Sequence, residues 1–152
     1  MFTVALFEPQ IPPNTGSIAR LCGANNVKLD VVGELGFELS DKKLRRAGLD
    51  YWEYINWEYH PNLKEYCDIL IKKCNFHLLT TKSTIAYTSR QFQKNDYLIF
   101  GSETAGISED FLYAQWDRAC TIPMMNQHIR SLNLAASVGI VLYEAIRQVN
   151  GK

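Results

Sequence analysis

The sequence lacks an excess of charge of one sign, paired cysteines and an uninterrupted apolar run. Its 16 basic and 16 acidic residues give a formal net charge of +0, which excludes a strongly basic arm but not a local basic patch or one shared by two copies. None of its four cysteines forms a C-x-x-C pair, so we expect reduced, mostly buried thiols in a cytoplasmic protein. The longest apolar stretch is broken by Glu144 and Arg147, and the first seven residues lack the basic start of a signal peptide. We therefore expect no membrane span.

Several motifs of common enzyme classes are also missing. The glycine spacing does not match G-x-G-x-x-G, which disfavours a Rossmann-type dehydrogenase, and no Gly-Lys-Ser/Thr follows to make a phosphate loop. No Gly-x-Ser-x-Gly elbow supports a hydrolase triad. The three histidines, at positions 60, 77 and 128, are scattered without nearby cysteine or carboxylate spacing, so we expect no metal site.

The order of apolar and polar segments predicts an α/β fold. Strands are expected at Thr3–Phe7, Lys28–Val32, 52–59, 76–80, Tyr97–Phe100 and 118–122, and helices at about 15–25, 41–47, 61–73, 108–114 and 132–149. Strands separated by helices indicate a parallel sheet with helices on both faces. The chain length favours a single domain over residues 1–152.

Three segments that follow expected strands could carry chemistry, because ligands of such sheets bind beyond the carboxyl ends of the strands. In residues 11–20, two prolines precede Asn14, the expected N-cap of a helix, and Arg20 lies in its second turn; a plain cap with a solvated arginine is the alternative. Residues 98–107 place Glu103 between Gly101 and Gly106, either in a ligand-binding turn or in an ordinary loop. In residues 122–134, Ser131 and Asn133 flank the last helix, which either one could simply cap.

Two further features left alternatives open. A basic cluster precedes several aromatic residues, among them Tyr51 and Trp52, and could bind single-stranded RNA or form a solvated helix face; it consists of Lys42, Lys43, Arg45 and Arg46. The last helix is apolar on most of its circumference. Its outer side could be a subunit interface, where Ala135, Ala136 and Gly139 would let backbones approach, or could pack only in the core.

Taken together and in this order, the three segments resemble the SPOUT class of RNA methyltransferases. The residues that carry the match are Asn14 with Arg20, the run 100–107, Ile122-Pro123-Met124 and the run 130–134. The start of the chain at 7–12, the run 43–51 and the overall length look most like the small YibK/TrmL group. The resemblance covers nearly the whole chain. Ser102 stands where proline is frequent and Ala105 where a larger basic residue can occur, which affects the expected RNA contacts more than the chemistry.

The resemblance implies a specific fold and activity. The fold would be an α/β domain whose carboxyl-terminal segment makes a deep trefoil knot, paired as a homodimer through the last helix and its neighbours. S-adenosylmethionine would be the methyl donor, and the acceptor would be the 2′-hydroxyl of the wobble nucleotide, cytidine or a modified uridine, of leucine tRNAs. Another RNA such as rRNA, or a catalytically silent RNA-binding module of the same fold, are the alternatives.

The same resemblance implies the roles of individual residues. The cofactor would be held by Leu79, Gly101, Ile122, Ser131 and Leu132, and the polar catalytic set would be Asn14, Arg20, Glu103, Ser131 and Asn133. RNA would contact Arg20 and the basic cluster. An arginine at the position of Arg20 is proposed in the family as the general base. Since a guanidinium holds its proton firmly, we expect an orienting and charge-stabilising role instead.

Overall fold

The computed structural model describes the backbone of residues 1–151 and the side chains of 1–46 and 52–151. Tyr51, one of the aromatic residues noted after the basic cluster, and Lys152 lie outside the described side chains. The strands are β1 Thr3–Phe7, β2 Lys28–Val32, β3 Trp57–His60, β4 Phe76–Leu79, β5 Tyr97–Phe100 and β6 Ala119–Cys120. The α-helices are α1 Pro12–Ala24, α2 Lys42–Gly48, α3 Leu63–Lys73, α4 Glu109–Ala114 and α5 Leu134–Asn150. Short 3-10 helices cover Leu49–Tyr54, Tyr87–Ser89 and Trp116–Arg118.

The six strands make one sheet in the order β3-β2-β1-β5-β4-β6, and every pair of neighbouring strands is parallel. Alternate residues of β1 enter different core clusters. Val4 and Leu6 pack with apolar residues of α1 and α5, whereas Ala5 and Phe7 pack with those of α3 and α4. A strand covered on both faces must be apolar at every position, which is why β1 reads as a continuous apolar run. The predicted parallel α/β sheet with helices on both faces is confirmed.

The long connection between β4 and β5 is attached to two later elements. Thr121, just after β6, donates its amide to the carbonyl of Ile85 and accepts from the amide of Tyr87. Farther along, the side chain of Gln148 on α5 accepts from the Phe92 amide and donates to the Arg90 carbonyl. The carboxyl-terminal part of the chain is thus hydrogen-bonded along this connection.

A buried polar pair fixes the base of the same connection. His77 on β4 and Asp96 are each 2% exposed, and the His77 Nε2 lies 2.8 Å from Asp96 Oδ2. Arg90 donates to His77 Nδ1 at 3.3 Å. Burial lowers the pKa of His77, against the opposing influence of the Asp96 carboxylate, because a charged imidazole is poorly solvated there.

Most boundaries differ from the sequence-based expectation by one or two residues, and two differences change how a segment is interpreted. Helix α1 begins at Pro12, with Ile11 as its N-cap, so the prediction that Asn14 is the N-cap is wrong. Proline is well tolerated in a first helical turn, where the missing N–H would have no partner inside the helix. The aromatic segment predicted as a strand over 52–59 divides, since only Trp57–His60 pairs with β2 and the preceding residues form a 3-10 helix.

The structure also bears on the expectations for the cysteines and for a membrane span. All four cysteines are free; Cys22 and Cys120 are buried, and Cys67 and Cys74 are partly buried. Burial raises the pKa of the Cys22 thiol to about 12. Among the helices that the structure describes, none is long and apolar enough to cross a bilayer.

Candidate active site

A cavity of about 500 Å³ opens at the carboxyl edge of the sheet. Four stretches surround it: Ile11 and Asn14 at the start of α1, residues 79–82 after β4, residues 100–107 after β5, and parts of 121–137 from β6 into α5. The strands that precede these stretches, β1, β5, β4 and β6, are neighbours in the sheet. This is the edge at which parallel α/β sheets bind ligands, and the volume is in the range of small-molecule pockets.

The cavity brings together most of the residues singled out from the sequence. All five candidate cofactor residues line it, namely Leu79, Gly101, Ile122, Ser131 and Leu132. Asn14, Glu103 and Asn133 line it as well. Arg20 and the basic cluster of α2 are not among the lining residues. Three segments far apart in the sequence therefore share one cavity, whereas the predicted RNA-binding residues lie outside it.

Glu103 holds the beginning of α1 from the loop after β5. Its carboxylate accepts from the backbone amides of Gln10, at 2.8 Å, and Ile11, at 3.0 Å, and from the Asn14 side-chain amide at 3.2 Å. No side chain within α1 caps its first turn. Pro12 and Pro13 have no N–H to cap, so the carboxylate instead binds the two amides that precede the helix and the Asn14 side chain, where a negative charge near the helix N-terminus is favourable.

Asn14 continues this network to the last helix. Its Oδ1 accepts a hydrogen bond from Asn133 Nδ2 at 3.1 Å. Asn133 is the N-cap of α5, and its Oδ1 accepts from the Ala136 amide at 3.0 Å. Of the two capping candidates in this segment, the cap is thus Asn133. The chain Glu103–Asn14–Asn133 connects the three predicted segments through side-chain hydrogen bonds.

The loop after β5 is a tight turn that requires glycine at two positions. Ser102 and Gly106 exchange backbone hydrogen bonds, and the Ser102 hydroxyl accepts from the Ala105 amide. Gly106 has a φ of +68°, and a Cβ on Gly101 would lie 2.0 Å from the Gly106 carbonyl carbon. A side chain at Gly101 would therefore displace the backbone that forms this wall of the cavity.

Sequence reasoning missed part of the lining, including Thr80, Thr81, Lys82 and Ser137. Thr80, Thr81 and Lys82 directly follow β4, so the rule used for the other strands would have found them. Lys82 Nζ lies 2.9 Å from Glu109 Oε1 at the start of α4. Their hydrogen bond raises the pKa of Lys82 and lowers that of Glu109.

The predicted RNA-binding residues lie on α1, whose first turn lines the cavity, and on α2. Arg20 is exposed on α1, six residues beyond Asn14, which corresponds to about 9 Å along a helix axis. The basic cluster is exposed on α2, which packs against α1. Within it, the Arg45 guanidinium lies 5.5 Å from the centre of the Trp52 ring. None of these cations lines the cavity.

A separate polar cluster lies on β2 and β3. Single ligand atoms of Asp30, Glu58 and His60 lie within 4.8 Å of one another. Lys28 Nζ is 3.3 Å from Asp30 Oδ1 and 3.1 Å from Glu58 Oε1, and the Tyr66 hydroxyl donates to Asp30 Oδ2 at 2.6 Å. The lysine ammonium already supplies the positive charge that these carboxylates need, so the arrangement is that of an ion-pair network.

Comparison with known proteins agrees with this geometry. The family model for the SpoU rRNA methylase family matches residues 1–143. A relative from Methylovorus glucosotrophus, a tRNA (cytidine(34)-2′-O)-methyltransferase, is 44% identical over 150 residues, which cover 97% of this chain and 96% of the relative. A solved structure concerned with 2-OH methylation of C/U34 on tRNA superimposes with a TM-score of 0.93 at 36% identity, covering 100% of this chain and 98% of the other.

One further solved structure contains a bound cofactor. It is the SpoU methyltransferase AviRb from Streptomyces viridochromogenes in complex with AdoMet, with a TM-score of 0.81 and 27% identity. The match covers 96% of this chain and 57% of AviRb. The match to the family model and the near full-length identity to the relative place the chain plainly: it belongs to the SpoU methylase family.

Proposed function

We propose that this chain methylates tRNA on the 2′-hydroxyl of the wobble nucleotide, position 34, with S-adenosylmethionine as methyl donor. The observation that carries the proposal is the convergence of the segments around Asn14, Gly101 and Ser131 on one cavity. The family description names rRNA, but the relative that matches nearly the full length is named for tRNA, so tRNA is the favoured substrate. We further propose that the substrates are leucine tRNAs with cytidine or a modified uridine at this position.

The cavity suits S-adenosylmethionine in size and chemistry. Leu79, Ile122 and Leu132 provide apolar side chains for the faces of an adenine, and the surrounding loops offer backbone groups to its polar edge. The tight turn at Gly101 brings backbone to the cavity wall where a side chain would have stood. When bound, the sulfonium would supply an electrophilic methyl group for an in-line displacement by the ribose oxygen, with S-adenosylhomocysteine as leaving group and the hydroxyl proton passing to an RNA phosphate or to water.

The polar residues would position the reacting groups. Glu103 is occupied by three hydrogen bonds to the start of α1, so we assign it the positioning of Asn14 rather than proton transfer. Asn14 and Asn133 hold each other beside Ser131, where their amides and the serine hydroxyl would orient the ribose hydroxyl. Orientation of this kind accounts for a large share of catalysis in a displacement that needs near-attack geometry.

Arg20 is expected to act together with a second subunit. It lies outside the cavity of its own chain, and α5 presents Ile140 and Tyr143 at 37% and 52% exposure while Tyr143 accepts a hydrogen bond from Asn25 of α1. We propose that this surface forms a homodimer, in which Arg20 and the basic cluster of two subunits jointly contact the RNA. A guanidinium at the mouth of the partner's cavity would orient a phosphate and stabilise charge. A Cβ added at Gly139 would make only an ordinary contact with Leu21 of the same chain, so this glycine does not by itself indicate close packing of helices.

Three further expectations remain part of this proposal. The chain would form one methyltransferase domain over residues 1–152, act in the cytoplasm where tRNA is modified, and contain the deep trefoil knot. The knot is supported by the hydrogen bonds that attach residues 85–92 to Thr121 and Gln148, which place the carboxyl-terminal segment against the long connection it would pass through.

The decisive experiment is transfer of a labelled methyl group to purified leucine tRNAs, followed by mapping of the product. The expected product is a 2′-O-methyl group at position 34 only, and a tRNA with 2′-deoxyribose there should accept none. Methylation at a base, at another nucleotide or of rRNA alone would refute the proposal. Arg20→Ala should lower turnover sharply while leaving the affinity for S-adenosylmethionine unchanged; near-normal methylation by this variant would remove Arg20 from the mechanism.

A further inference from the structure

An exposed aromatic pair lies beside the cavity, on α4 and the 3-10 helix that follows it. Tyr113 and Trp116 are 55% and 41% exposed, and their ring centres are 5.4 Å apart with a 31° angle between the planes. Leu112 is the residue of α4 that is buried in the core, at 1% exposure. Neither Tyr113 nor Trp116 belongs to the described core clusters. Two large rings that contribute nothing to the core leave a surface that can bind something else.

This aromatic pair is connected to the cavity through Lys82. The Lys82 ammonium lies 5.8 Å from the centre of the Tyr113 ring, and Lys82 also lines the cavity. Its ion pair with Glu109 holds it at the border between the two. A molecule whose reacting part enters the cavity can therefore extend across Lys82 onto the two rings without leaving the protein surface.

The chemistry around the rings favours a nucleobase as the occupant. Lys82 lies near the Tyr113 ring, and three exposed acids, Glu109, Asp110 and Asp117, are close to the rings in the sequence. A base combines an apolar face with polar edges. It therefore fits a small aromatic surface bordered by polar groups better than a broad apolar surface of a partner protein does. The acids disfavour phosphate directly over the rings, so the RNA backbone would face outward while the base stacks inward.

We propose that Tyr113 and Trp116, with Lys82 at the border, form a stacking platform for an unpaired base that flanks the nucleotide to be methylated. This inference rests on the proposed function, since it requires that an RNA ribose enters the cavity. It adds a contact that differs in kind from the basic cluster of α2. The platform acts by stacking, whereas the cluster acts by neutralising phosphates.

The test compares RNA binding by the full-length protein and its variants over a series of salt concentrations. The RNA is a leucine tRNA anticodon stem–loop, and the variants are Tyr113→Ala/Trp116→Ala, the ring-retaining Tyr113→Phe/Trp116→Phe, and Ile69→Ala as a control for loss of an exposed apolar side chain on α3. We expect the double alanine variant to bind about 5- to 150-fold more weakly. Its salt dependence, its affinity for S-adenosylmethionine and its unfolding midpoint should remain those of the wild type. The phenylalanine variant should recover most of the affinity, and the control should not lose any.

The possible outcomes separate this inference from the function on which it rests. If the wild type neither binds nor methylates the RNA, the proposed function fails and the platform fails with it. If the wild type methylates the RNA and the double alanine variant binds equally well, only the platform is refuted. A double alanine variant that sediments as a smaller particle than the wild type would instead identify the surface as a contact between copies of the chain and would also overturn the inference.

Discussion

Replacing Glu103 with alanine should loosen the start of α1 and destabilise the protein measurably. The substitution removes three hydrogen bonds to a carboxylate, each of a kind that contributes about 1.5–3 kcal/mol. The Ile11 bond is exposed, and all three donors can partly turn to water, so we expect a net loss of about 2–3 kcal/mol rather than the sum. For a chain of this size that corresponds to a fall in Tm of about 4–12 °C.

The assay is thermal and urea unfolding at neutral pH, with methyl transfer measured in parallel. Glu103→Gln keeps one acceptor but turns an NH2 group toward a donor, so its stability should fall between those of the wild type and the alanine variant. Glu109→Ala serves as the control, because it removes an exposed carboxylate close by and should change the Tm little. A Glu103→Ala variant with the Tm and the methylation rate of the wild type would refute the reasoning that this carboxylate holds α1 in place.

Three other changes give measurable results. Gly101→Ala places a Cβ against the Gly106 backbone, so the affinity for S-adenosylmethionine in calorimetry should fall more than tenfold, and an unchanged affinity would contradict the assigned wall of the cavity. Asn133→Ala removes the N-cap of α5 at a cost of about 1 kcal/mol, and a double-mutant cycle with Asn14→Ala should show coupling of about 0.5 kcal/mol or more; additive effects would mean that the two amides act independently. Burial lowers the pKa of His77 below its ordinary 6.5. Just below pH 6.5 the imidazole is therefore protonated in the unfolded chain but not in the folded one. The stabilising contribution of His77 should be fully present above that pH and should fall as the pH decreases. His77→Gln should reduce this pH dependence, and an unaltered profile would count against His77 as its source.

Local patterns in the sequence were sufficient to find most strands and the loops that surround the cavity. The strands Thr3–Phe7, Lys28–Val32 and Tyr97–Phe100 have the predicted boundaries. A parallel strand buried on both faces is mostly apolar, and this run of apolar residues is recognisable even where Lys28 and Asp30 interrupt it. Glycine-containing turns and helix starts after these strands then marked the polar residues that meet at one edge. The fold class follows from such short-range information, whereas the candidate cofactor residues came from the resemblance to the SPOUT class.

The parts that could not be predicted depend on contacts between distant residues. The start of α1 is held by Glu103, which is 92 positions from Ile11, so the sequence around the prolines could not show what contacts the residues that precede the helix. The split of the 52–59 segment is set by where β3 pairs with β2 and not by its aromatic composition. The position of Arg20 relative to the cavity is likewise a property of the folded chain.

The claim on which the account depends most is that three distant segments together hold S-adenosylmethionine in one cavity. Hydrogen–deuterium exchange of the wild type with and without saturating S-adenosylmethionine tests it directly. The account predicts that bound cofactor slows exchange together in peptides that contain Asn14, residues 100–107 and residues 130–134, all of which line the cavity, while α2 and α3 exchange as before. Protection confined to one of the three segments, or appearing only away from this edge of the sheet, would contradict it.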